Sequence, residues 1–226
     1  MELDFGTVRK ALCTQCGVIS RMLLDLPDDE FARPTRLQPW DVLHLVAHLY
    51  RDMERVPLAL EEPQPAIAPD TDAVTYWHYD RIENAARTQA RANLVVGNYD
   101  SAAALTRAFD AIQQQAISLL DNTDPDLIIR TWEPIMRVDH FATTRVVEVT
   151  VHGLDLAHAL ERPLDMDDDA MTITSDVLFE LLAARLPPQL TWDRTTWIEK
   201  GSGRSPLTPG ERTALGRVAE AFPLLA

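Results

Sequence analysis

Along residues 6–25, Val8, Leu12, Ile19, Met22 and Leu23 recur at helical spacing, which predicts an amphipathic helix. A second helix is predicted from about 40 to 59, in "WDVLHLVAHLYRDMERVPLAL". Pro39 suits its first turn and Asp41 suits the positive end of its dipole. "DAVTYWHYDRIENAARTQARANLV" reads as a third helix ending near Gly97. Asp100 and Ser101 offer an N-cap to a fourth, "SAAALTRAFDAIQQQAISLL", and a fifth spans about 139 to 161. Long helices joined by modest loops predict a mainly α fold, an up-and-down bundle over residues 1–162. The pattern changes after Pro163. "TSDVLFELLAARL" is helical and stops at Pro187 and Pro188, "LTWDRTTWIEKG" alternates like a strand, and Thr208 can cap a last short helix. Residues 163–226 therefore read as a small mixed α/β appendage.

The fifth helix carries residues that do not suit an apolar core. In "RVVEVTVHGLDLAHAL", Glu148 and His152 lie four apart and share one face, and His44 and His48 do the same in "HLVAHL". Burying a carboxylate costs several kcal/mol unless it is paired or bound to a metal. Two facing helices with such pairs can grip one ion between them. Imidazole and carboxylate donors suit zinc, and iron, nickel or manganese less selectively. Three protein ligands leave a coordination position open for chemistry. The plainer readings are a hydrogen-bonded core histidine for His44 and a solvated i,i+4 pair for Glu148 and His152. Val146, Val147, Val149 and Val151 crowd the second pair, and periodicity alone leaves metal site and plain pair equally open.

Composition narrows the partners. The 226 residues are 46% hydrophobic and 25% charged, an ordinary globular balance, and the formal net charge is −14. That charge disfavours nucleic acid and anionic membrane surfaces as partners, while leaving room for a small anion in a locally positive pocket. "MELDFGTVRK" lacks an apolar targeting core, and no apolar run approaches the roughly 18 residues of a membrane helix. A cytoplasmic protein is expected. Cys13 and Cys16 form no disulfide framework, and "CTQC" sits mid-helix, where cysteine is expected to pack as a small apolar residue.

"PWDVLHLVAHL" followed by "MRVDHFATTRVVEVTVHGLDLAHAL" resembles the mycothiol-dependent maleylpyruvate isomerase family, within the DinB-like metal-binding four-helix bundles. The likeness covers roughly residues 1–162. It implies a divalent metal, zinc before others, on His48, Glu148 and His152, with His44 left as a neighbour in the core or near a ligand. It also implies mycothiol as thiol cosubstrate. Bound at the open position, the thiol would be activated as thiolate and attack a small electrophile, in transfer or isomerisation. Around the ligands, Asp155 and His158 are candidates to orient an imidazole, and Arg145 to pair with an acid or an anionic substrate. Trp77 and Tyr79 are candidate pocket walls. In the isomerase a larger second domain supplies an arginine, and Arg204, in "WIEKGSGRSPLTPGER", is the candidate equivalent. With only a short appendage after Pro163, the resemblance does not extend to maleylpyruvate as substrate. Two other functions share the ligand set: a hydrolase using metal-bound water, and a non-catalytic metal- or ligand-binding regulatory module. A homodimer is left open.

Overall fold

The computed structural model describes residues 4–63, 66–78, 81–132 and 134–225, with side chains left out at 81–84. Helices α1 (Phe5–Leu24), α2 (Val42–Glu61), α4 (Ala102–Asp121) and α5 (Val138–Leu160) form a four-membered ring. In that ring α1 touches α4 and α5, and α2 touches the same two helices. Consecutive helices α1 and α2, and likewise α4 and α5, therefore sit across the diagonal, and α2 and α5 lie side by side. Helix α3 (Arg81–Gly97) packs on α2. A short hairpin, β1 (Ile128–Arg130) and β2 (Ile135–Arg137), leads into α5, with Ile129 opposite Met136.

Each ring helix turns one apolar stripe inward. Val8, Leu12, Ile19 and Leu23 of α1 are buried, as are Leu45, Leu49, Met53 and Val56 of α2 and Leu105, Phe109 and Leu120 of α4. Side-chain caps set the helix starts: Asp4, Asp41 and Ser101 each accept a backbone N–H three residues on. Helix α5 differs, because 17 of its 23 residues are buried. It has α1, α2 and α6 (Asp168–Leu182) packed around it. Gly153 makes part of that closeness feasible: a Cβ there would stand 3.1 Å from Gln15 Nε2 and 3.3 Å from Leu164 Cδ2 and Met166 Cε.

Residues beyond Pro163 share the bundle's core. Ala170, Ile173 and Val177 of α6, with Trp197 and Ile198 of α7 (Arg194–Gly201), belong to the same apolar cluster as α1 and α5. The expected strand over 190–201 is not formed: residues 194–201 are helix α7. Asp193 accepts the Thr196 N–H at 2.7 Å and starts α7, and Thr195, Thr196 and Trp197 lie along it. Thr208 caps α8 (Pro209–Leu215) in a capping box with Glu211, but Gly216 at φ +58° ends that helix earlier than expected, in a 3₁₀ turn. The third predicted helix also starts late. Asp72 takes the N–H groups of Val74 and Thr75, residues Thr75–Trp77 make a 3₁₀ turn, and α3 begins at Arg81. No helix among the described residues is long and apolar enough to cross a membrane.

Replacing Asp193 by Ala should destabilise the start of α7, and Asp193→Ser much less so. For a chain of this size that lowers the thermal midpoint by roughly 2–4 °C. An unchanged midpoint for Asp193→Ala, followed by circular dichroism, would contradict a capped α7.

Candidate metal centre

Because α2 and α5 are neighbours, the i,i+4 pair on α5 meets His48 on α2. Glu148 Oε2 lies 3.2 Å from His152 Nε2 and 3.5 Å from His48 Nε2. The two imidazoles meet edge to face with centroids 4.7 Å apart. One donor atom from each of His48, Glu148 and His152 falls within 4.8 Å of the other two. Two imidazole nitrogens and one carboxylate oxygen, converging from two rigid helices, are a donor set that zinc accepts. The fit extends outward: Asp155 Oδ2 sits 2.9 Å from His152 Nδ1, which leaves Nε2 turned toward Glu148.

Asp155 is fully buried and is the hub of the outer layer. Besides His152 it accepts from Arg36 Nε at 2.6 Å and from Arg204 Nη2 at 3.1 Å. Arg36 reaches on to Glu199 in α7 at 2.7 Å. Burial would favour the neutral carboxyl at Asp155, but the hydrogen bond with His152 and the Arg204 charge hold it well below the usual carboxylate range. Glu148 is likewise held well below that range: burial opposes the charge, and hydrogen bonds from His152 and His48 outweigh it. Burial works against a charged His152, yet its bonds to Asp155 and Glu148 push its pKa up to about 9. A cation bound between these donors would compete with the proton that Asp155 and Glu148 favour on His152.

A second buried network adjoins His48. Asp52 Oδ2 lies 3.1 Å from His48 Nε2, and its Oδ1 accepts from Arg145 Nη1 at 3.0 Å. Arg145 is fully buried, donates to Tyr76 Oη at 3.1 Å and lies over the Phe141 ring. A removed partner here would leave an uncompensated charge in the core, so the pair fixes both side chains. The three donors open on a cavity of about 460 Å³, with Trp40, Trp77 and Trp132 as apolar walls and Asp52, Arg55 and Arg204 as its charged members beside them.

The structure brings His48, Glu148, His152, Asp155, Arg204 and Trp77 to one place. Arg145 is near it but turned to Asp52. His44 does not line the cavity; its Nδ1 lies 2.6 Å from Asp41 Oδ1 in the first turn of α2. His158 is exposed in the last turn of α5, because six residues beyond His152 the helix has turned that position away. Tyr79 lies outside the described residues. Cys16 is buried in the core and Cys13 is exposed. The sequence reading passed over Asp52, Arg36, Trp40, Arg55 and Trp132. Asp52 had a signal, standing four residues after His48 as His152 stands after Glu148. Arg36 and Trp132 come from connecting segments, and nothing in their local pattern marks them.

No curated protein matches the chain. A crystal structure of a mycothiol-dependent maleylpyruvate isomerase matches with a TM-score of 0.50 at 17% identity. A histidine-to-alanine mutant of such an enzyme matches with a TM-score of 0.56 at 16% identity. Each match covers 83% of this chain and 72% of that one. At such identity the likeness concerns the fold, the DinB-like bundle that the resemblance implied. The family model for the mycothiol maleylpyruvate isomerase N-terminal domain matches residues 14–157, a span that includes α2, α5 and all three donors. By that match, the chain belongs to the mycothiol maleylpyruvate isomerase N-terminal domain family.

Proposed function

We propose that this protein is a metal-dependent enzyme in which mycothiol, bound as thiolate, attacks a small electrophile in a transfer or isomerisation. The observation that carries the reading is the convergence of His48, Glu148 and His152 at the wall of a cavity large enough for a small substrate. His48 Nε2, Glu148 and His152 Nε2 would hold the cation, zinc before others, with one position left to the thiol. When bound, the metal supplies a lowered thiol pKa and a fixed place for the sulfur. Family membership supports mycothiol as the thiol and an enzyme as the product of this site.

The protein's own side chains do the rest. Asp155 holds His152 in one orientation and makes it a better donor. Arg36 and Arg204 keep Asp155 ionised and in place. Arg204 reaches the cavity while bonded to Asp155, so we assign it to positioning rather than to the reacting atoms. Trp40, Trp77 and Trp132 give the cavity apolar walls beside the donors, where charge interactions are stronger than in bulk water. An accessible cavity beside the donors favours catalysis over a sealed regulatory ion.

Three outcomes are expected. His152→Ala should lose stoichiometric metal as measured by elemental analysis, while His44→Ala keeps it; full occupancy in the first variant would sink the ligand assignment. Cobalt-substituted protein should gain a thiolate charge-transfer band on adding mycothiol, and an unmoved spectrum would favour metal-bound water and hydrolysis. Asp155→Asn should weaken metal affinity by about 10–100-fold in a chelator competition. An unchanged constant would remove Asp155 from its orienting role.

A further inference from the structure

Three of the chain's five tryptophans border the cavity, and each comes from a different connecting segment. Trp40 precedes α2, Trp77 ends the 3₁₀ turn Thr75–Trp77, and Trp132 lies between β1 and β2. Packing of the core does not account for them. A protein interior closes to the density of an organic crystal, with few voids larger than a water molecule. Here the three rings stand around about 460 Å³ of space, within the size range of small-molecule sites. Leu37, Val147 and Val151 complete the apolar wall.

The polar groups of this wall are already engaged or covered. Trp40 Nε1 donates to Gln89 Oε1, and Trp77 Nε1 donates to the Ala73 carbonyl at 3.0 Å. Trp132 Nε1 lacks an acceptor but is buried beneath the cavity surface. Arg55 and Arg91 lie over the Trp132 ring at 5.7 and 5.4 Å, which fixes its plane. The charges beside the rings have opposite charges of their own. Asp52 has Arg145, Arg55 and His48 in reach, Glu148 lies between His48 and His152, and Arg204 meets Asp155. What the tryptophans offer a ligand is therefore ring carbon, by face or by edge. Such surfaces attract another aromatic ring more than a saturated ring of the same size, because the ring quadrupoles match. The wall also begins at the donors, since the Trp40 and His48 rings have centroids 5.1 Å apart.

We propose that Trp40, Trp77 and Trp132 form an aromatic subsite, so that the electrophile carries a planar unsaturated ring and meets the donors from beside Trp40. The subsite deepens the thiol-transfer reading by naming the body of the electrophile. It rests on that reading for what reacts, and on the cavity alone for what is held.

Isothermal titration calorimetry tests the subsite with three probes: 2-naphthamide, its ring-saturated counterpart decahydro-2-naphthamide, and methyl α-glucoside as a polar ring. Wild-type protein should bind 2-naphthamide saturably and the saturated amide at least about threefold more weakly, with no measurable binding of the glucoside. Trp132→Leu and Trp40→Leu should each lose at least about threefold in 2-naphthamide affinity, while Trp132→Phe keeps most of it. Trp192→Phe, a change outside the cavity, should leave the affinity unchanged. Thermal melts separate lost binding from lost fold, and the two Trp132 variants keep the test decisive if Trp40→Leu does not fold. Titrations of zinc-loaded and metal-stripped protein keep this proposal apart from the thiol chemistry. Equal affinity in both upholds the subsite even if the cobalt protein shows no thiolate band, whereas binding that vanishes with the metal puts the amide on the cation and overturns it. No saturable binding, equal affinity for the saturated amide, glucoside binding as tight as 2-naphthamide, an unaffected Trp132→Leu, or an equal loss in Trp192→Phe also overturns it.

Discussion

Glu148 has its carboxylate between two imidazoles in a helix that the rest of the molecule encloses. Enclosure of α5 is the constraint from which the site follows. The charged side chains on its buried face therefore need partners from other elements. Glu148 meets His48 of α2, Arg145 meets Asp52 of α2, and Asp155 meets Arg36 and Arg204. Enclosure also explains why the ring order matters. With α2 beside α5 rather than across from it, the donors of both helices reach one point.

Much of this was legible in the order of residues. Helical spacing marked all the ring helices, and the valines around Glu148 and His152 left little room for a solvated face. Spacing of four drew attention to the right pair on α5. The same rule applied upstream of His48 selected His44, which only meets the cap residue Asp41; applied downstream it finds Asp52. The difference is one of helix position, since a histidine in the first turn is close to the cap and far from the core. Asp155 and His158 looked alike in sequence, but three residues from His152 keeps the face and six loses it. The strand misread over residues 190–201 came from weighing threonine and tryptophan above Asp193, a capping residue that decides the local conformation. Arg36 and Trp132 were beyond reach because long-range connection, not local pattern, brings them to the cavity.

The acidic surface of the chain and the arginines of its cavity act at different distances. A net charge of −14 is spread over a surface where salt screens it. Inside the cavity, Arg55 and Arg204 lie among Asp52 and Glu148, where salt screens charge less than at the surface. Overall charge therefore disfavours macromolecular polyanions without bearing on a small anion in the cavity.

The Arg36–Asp155–Arg204 clasp joins three stretches that are far apart in the chain: the loop before α2, the middle of α5, and the segment after α7. Orientation of His152 is thereby tied to the seating of the C-terminal segment, so a change near Arg204 is felt at a donor more than forty residues earlier in the chain.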